Sequence, residues 1–346
     1  FFTNSSREGI DTTVSLATTG LAEVWDPETG KVQEACGQRI QSGRLELPLT
    51  LAPQGSRLIV VDTEREPREV PVKPFVPGRR MPLCQLWSFT PENGNLLLLQ
   101  NWVMAADTRH KVTRLSYTTE FILNESIANM RLVLDGIPEH AAGLKPGARP
   151  LVAHETDAEI YLNGERLDEE MFWEFDLGFR VINIAQRLDA GTYRLELVVK
   201  NHGWFPQQGL QEYAWIAGDF SLDLSEGIPR LSAVRGIQCG PWEEQGFAYF
   251  SGTGDYFTDF ELSKDDECKR IFIDAGRVGD ILEVEVNGQA LPVRAWPPYR
   301  VEITDYTFAG TNLIMLKVSN TSRNFLEGPD PDHPSGLLDE VWLEIE

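Results

Sequence analysis

QGFAYFSGTGDYFTDFEL (residues 245–262), RIFIDAG (270–276), ILEVEVNGQAL (281–291), WPPYRVEIT (296–304) and AGTNLIMLKVSN (309–320) make one β-rich stretch whose pattern also occurs earlier in the chain. Its first segment sets Gly and aromatic residues around a strand that alternates in period two. AEIYLNGERL (158–167) and AGTYRLELVVKN (190–201) repeat the later part: a strand ending in Asn-Gly, a loop, a strand, then Ala-Gly-Thr and a final strand. Asn163-Gly164 and Asn287-Gly288 predict hairpins, because both turn positions need positive φ and Asn and Gly reach it at least steric cost. Two all-β modules of one design follow.

Working outward, residues 1–65 read as a small β-sandwich domain. DTTVSLAT (11–18) alternates, AEVWDPETGKV (22–32) gives a strand, a turn and a return, and RLELPLTL (44–51) and SRLIVVD (56–62) add two strands. Pro67, Pro71, Pro74, Pro77 and Pro82 make 66–82 a Pro-rich linker, since each Pro removes a ladder donor and excludes a central strand. The second module is expected over 83–230 and the third over 231–346. Helical periodicity is nearly absent, so the fold class is all-β, a row of consecutive β-sandwich domains. The chain opens at Phe1 on strand-like residues, and we expect it to be cut from something longer.

Composition narrows the partners. A net charge of −22 over 346 residues argues against nucleic acid and disfavours anionic membranes, leaving neutral ligands such as sugars open. No apolar run approaches the ~20 residues of a membrane-spanning helix. Cys36, Cys84, Cys239 and Cys268 lie far apart with no CxxC spacing, which argues against zinc and suggests free, mostly buried thiols. That usage leans towards a reducing, cytoplasmic compartment, with secreted or periplasmic placement left open.

Several motifs resemble the C-terminal, non-catalytic part of large glycoside hydrolases, in particular the α-L-rhamnosidases of glycoside hydrolase family 106. They are AEVWDPETG (22–30), IAGDF (216–220), QGFAYFSGTGDY (245–256), VNG, PPYRV, AGTN, NTSRN (320–324) and SGLL (335–338), in the family's order. The chain also resembles the sugar-binding β-sandwich of family 2 enzymes. The resemblance implies that the last two modules are jelly-roll, galactose-binding-like sandwiches, and that a catalytic (β/α)8 barrel lies upstream of Phe1. No catalytic residue is then expected within this chain. Asp339-Glu340 stands where the rhamnosidase family has Gly-Pro, so the turn before the last strand departs from its pattern.

Glycoside hydrolysis needs two carboxylates about 5–10 Å apart across the bond. Asp219, Glu243, Glu244, Asp255 and Asp259 are candidates, but among 53 carboxylates a solvated surface role is the ordinary reading. Gly252-Thr253-Gly254 begins like a phosphate loop but lacks the third Gly. Asp330 and Asp332 could offer oxygen ligands to calcium, though without EF-hand spacing, so no cofactor is expected. For sugar binding the choice falls on Trp296, Tyr299 and Arg300 in the third module, joined by Asn324. In the second module the corresponding loop carries Asn201, His202, Trp204 and Phe205. Equally, these aromatics can cap the sandwiches or pack against the missing barrel.

The sequence therefore carries three functions in parallel. The chain is an accessory β-region supporting the barrel of a rhamnosidase-like enzyme and holding glycan, including rhamnose-containing glycan. Alternatively it is a self-sufficient carbohydrate-binding protein, or a purely structural spacer.

Overall fold

The computed structural model describes residues 1–66, 68, 78–109, 112–135, 159–167, 171–172, 179–201 and 214–346. Nearly every strand is antiparallel, and the sheets pack face to face as β-sandwiches. The 140–150 loop and most of the Pro-rich run lie outside the described residues.

The N-terminal unit shows how directly pattern becomes packing. In Arg44–Leu51 the residues Leu45, Leu47, Leu49 and Leu51 are buried while their neighbours face out. This strand lies between Ile10–Leu16 and Arg39–Gln41, opposite a sheet ordered Phe2–Thr3, Ser56–Asp62, Leu21–Trp25, Val32–Glu34. Ala22, Ala35, Leu45 and Leu47 form its small core. Pro48 is tolerated because Arg39–Gln41 pairs only as far as Glu46, so the missing N–H faces no partner.

In the second module Glu159–Leu162, Gly191–Asn201 and Val112–Leu123 stand side by side. In the third, Ile281–Val286, Gly310–Ser319 and Thr253–Leu262 take the same order. Both Asn-Gly turns form as expected, with φ of 50° and 84° at Asn163 and Gly164, and 53° and 79° at Asn287 and Gly288. The likeness extends to a side chain. Asn163 Oδ1 accepts the Arg194 amide at 2.8 Å and Asn287 Oδ1 accepts the Leu313 amide at 2.9 Å, each amide three residues after the Gly of Ala-Gly-Thr.

Two differences from the sequence reading stand out. Arg79–Pro82, expected in the linker, pairs with Trp342–Ile345, and Ser88–Pro91, expected in the second module, pairs with Thr253–Leu262. Both are edge strands of the third module's sheets, where a Pro is permitted. Arg79 is further held by Asp266, a buried carboxylate that also binds Lys269 and the Ser263 amide and hydroxyl. Second, all four cysteines are free, but Cys36 and Cys268 are exposed and Cys84 and Cys239 only half-buried. The buried-thiol expectation fails because they sit in loops and turns rather than on inward strand positions.

The third module's core is aromatic, with Trp87, Phe89, Trp242, Phe247, Phe250 and Tyr256 packed together. This explains the Gly-Thr-Gly motif. A Cβ on Gly254 would come within 2.5 Å of the Phe89 ring and 2.8 Å of Trp242, so its Gly admits rings rather than phosphate.

Candidate functional site

The N-terminal unit and the third module meet along a cleft of about 270 Å³. The hairpin after Leu21–Trp25 forms one wall. Asp26 shapes this turn, its Oδ1 accepting the Glu28 and Thr29 amides and its Oδ2 the Thr29 hydroxyl. The turn delivers Glu28 to the other wall, where Oε2 accepts Arg294 Nη1 and Oε1 accepts the Ala295 amide, each at 2.6 Å. Arg294 also reaches Asp26 Oδ2 at 3.3 Å.

Burial acts to raise the Asp26 carboxyl, but the Thr29 hydroxyl, the Glu28 amide and the Arg294 guanidinium outweigh it and hold the group below its ordinary value. Asp26 is therefore held as the carboxylate, and the oxygens of both Asp26 and Glu28 are engaged. Above this junction the cleft presents two indoles, Trp25 at 41% exposure and Trp296 at 39%, one from each unit. Lys31, Arg57 and Arg300 add cationic side chains to the lining.

Of the residues proposed from sequence, Trp296 and Arg300 come together in this cleft. Arg300 Nε donates to Glu344 at 2.9 Å and its guanidinium lies over the Phe272 ring at 3.6 Å, which fixes its direction. Tyr299 is turned inward at 5% exposure, and its hydroxyl donates to the Asp280 carbonyl at 2.6 Å. Asn324 is 2% exposed and sealed in a different cluster, donating to Glu243 at 2.8 Å and to Ser335 at 3.2 Å. Neither lines the cleft. Asn201 ends the strand Gly191–Asn201, while His202, Trp204 and Phe205 lie outside the described residues.

Sequence reasoning missed the N-terminal wall, namely Trp25, Glu28 and Arg57. A usable signal existed in the Trp25-Asp26-Pro27-Glu28 run, where an indole adjoins a tight turn.

Several of the other candidate carboxylates hold structural partners. Glu243 accepts Asn324 Nδ2 and the Ser335 amide, fastening the last loop. Asp219 accepts Asn129 Nδ2 at 2.7 Å. Burial and the neighbouring Glu92, Glu283 and Glu285 raise the Asp255 carboxyl against the opposing pull of Lys317. Asp330 is paired with Arg323 and with His333 Nδ1. Among the described residues no group of three or more His, Cys, Asp or Glu side chains is placed to hold a metal ion. No helix there is long and apolar enough to cross a membrane.

No family model matches the chain. Over 120 residues, 33% of its length, it is 29% identical to the "Putative beta-glucuronidase" of Formosa agariphila, covering 10% of that protein. Among solved structures, a rhamnosidase from Novosphingobium sp. PP1Y matches 99% of this chain and 22% of its own at 17% identity and a TM-score of 0.43. A Ruminococcus gnavus beta-glucuronidase matches 36% of this chain and 26% of its own, at 19% identity and a TM-score of 0.28. The chain thus spans a tenth of the curated relative and about a quarter or less of these structures. Each of these proteins is by name a glycoside hydrolase, and this chain is similar to a part of each.

Proposed function

We propose that this chain is the non-catalytic accessory β-region of a glycoside hydrolase resembling the α-L-rhamnosidases. It supports the catalytic barrel of the same parent chain and binds glycan in the cleft between its N-terminal unit and its third module. The observation that carries this reading is the contrast within the cleft. Two half-exposed indoles offer flat apolar faces to a pyranose ring. The two carboxylates beside them are fully engaged by Arg294, Thr29 and backbone amides. A general acid for glycoside cleavage must carry a proton near neutral pH, which calls for a raised pKa. Asp26 is held low instead.

The test is an aryl-glycoside assay of the purified chain with α-L-rhamnoside and β-glucuronide substrates, alongside Trp fluorescence titrated with L-rhamnose and rhamnose-containing polysaccharides. Expected are no turnover above buffer and a saturable fluorescence change that is lost in Trp296→Ala. Turnover that survives repurification would overturn the non-catalytic assignment. A folded chain that responds to no glycan would leave the support role alone.

A further inference from the structure

The charge of the cleft runs against that of the protein. Over the whole chain acidic residues outnumber basic ones, for a net −22. The cleft lining instead carries four cations, Lys31, Arg57, Arg294 and Arg300, against two carboxylates, Asp26 and Glu28. Those carboxylates are already engaged, Asp26 by the amides and hydroxyl of its own turn and by Arg294. Glu28 is only 8% exposed, with one oxygen on Arg294 and the other on the Ala295 amide. Arg300 leans on Glu344, itself 8% exposed behind the cleft. Arg57, on the strand Ser56–Asp62, is half-buried and makes no ion pair or side-chain hydrogen bond among the described residues, and Lys31 stands exposed at the turn.

The Arg57 guanidinium thus has no protein partner among the described residues while its stem is held on the strand, and its planar fork matches a carboxylate or sulfate bidentately. Beside it are two indoles suited to the C–H face of a sugar ring. We infer that this cleft binds an anionic saccharide, a uronate- or sulfate-bearing glycan segment, with Trp25 and Trp296 holding sugar faces and Arg57 and Lys31 receiving the negative group. The saccharide half of this inference rests on the function proposed above, whereas the charge half rests on the cleft's own side chains.

The experiment titrates the chain by calorimetry with three tetramers: galacturonic acid, neutral α-1,4-linked glucose, and glutamate as a non-sugar polyanion. The galacturonate tetramer is expected to bind about tenfold or more tighter than either control, a difference of about 1.4 kcal/mol. Raising NaCl from about 50 to about 300 mM is expected to weaken it several-fold, since the contact is charged and partly exposed. Trp296→Ala and Arg57→Gln should each lower affinity about tenfold. Lys31→Gln, at an exposed position where folding is not at issue, should lower it about threefold. Arg235→Gln, a distant exposed cation paired with Glu125, should change nothing.

Equal binding of the neutral tetramer would overturn the charge selection while leaving the accessory-region reading standing. Equal binding of the glutamate tetramer would overturn the saccharide assignment. Absence of binding by all three, or binding unaffected by the cleft variants, would overturn the site itself. The turnover assay, which none of these arms touches, judges the accessory reading separately.

Discussion

In the second module the Asn163 side chain accepts one hydrogen bond, from the Arg194 amide, and is otherwise exposed. In the third module Asn287 accepts the matching bond from Leu313 and also donates to the Tyr306 carbonyl and to Asn312 Oδ1, both at 2.9 Å. The divergence traces to the second residue after the Gly of Ala-Gly-Thr. There the third module has Asn312, wholly buried, which also accepts the Phe308 amide and donates to the Phe308 and Gly310 carbonyls. The second module has Tyr193, whose ring stacks on Phe121 at 5.6 Å. One backbone plan thus accepts two anchors, a polar network and a ring pair. The turn specifies the strand register; the anchor specifies what the neighbouring loop can do. Because the third module ties its loops with buried polar groups, its stability depends on every member being satisfied.

The largest expected effect follows from that dependence. Asp266 is buried and joined to Ser263, Lys269 and Arg79, so Asp266→Ala leaves several donors without an acceptor and should cost about 3 kcal/mol. Hydrogen exchange read module by module should place this loss in the third module and free the Arg79–Pro82 strand. The same group gives an acid signature. The Ser263 hydroxyl, then Lys269, the Ser263 amide and Arg79, pull the Asp266 carboxyl well below its ordinary value against the effect of burial. A depressed folded value means the stabilisation is complete above about pH 3.9, the unfolded value, and declines as pH falls below it. The third module should therefore lose protection between pH 4 and lower values before the second does, and Asp266→Ala should remove that difference. If the two modules lose protection together in the unsubstituted chain, the contrast between them is not electrostatic.

Next comes Asn312→Ala. It leaves the Phe308 amide, two carbonyls and Asn287 Nδ2 short of a partner around a fully buried side chain, for about 2 kcal/mol. Tyr193→Ala, at the matching position, removes a half-buried ring and should cost about 1–2 kcal/mol. Urea midpoints compare the pair, and equal losses would mean that the polar network is worth no more than the ring.

How much of this was legible depends on whether the cause is local. The Asn-Gly turns were readable because positive φ is a demand on the residues themselves. The alternation in 44–51 was readable because the strand has one buried face. The pairing of Arg79–Pro82 with Trp342–Ile345 was not, since its partner lies over 250 residues away and its prolines speak only of what they exclude. The cleft shows the same division. Trp296 stood out as an indole beside two prolines, but Trp25 and Glu28 reach it only through the docking of separate units. Tyr299 and Asn324 resembled their exposed neighbours in composition. Tyr299 lies in a loop and Asn324 in the single helical turn Arg323–Leu326, both too short or irregular to carry a periodicity that would mark them as turned inward.

The smallest effects test whether the two turns are equivalent. A Cβ at Gly164 or Gly288 would meet no atom within 4 Å, so Gly→Ala at either site should cost only the left-handed backbone penalty, about 1 kcal/mol, and the same amount in both. With sterics equal, the Asn positions isolate the anchor. Asn163→Ala removes a single exposed hydrogen bond and should cost about 0.5 kcal/mol. Asn287→Ala removes that bond and two further part-buried hydrogen bonds, and should cost about 1 kcal/mol more. In the Asn312→Ala background the excess at Asn287 should shrink, because one of its acceptors has already gone, whereas the cost at Asn163 should not move. A double-mutant cycle of Asn287 with Asn312 reads that coupling directly. If Asn163→Ala proves as costly as Asn287→Ala, the turns are equivalent in energy as well as in backbone, and the third module's polar network adds nothing to its hairpin.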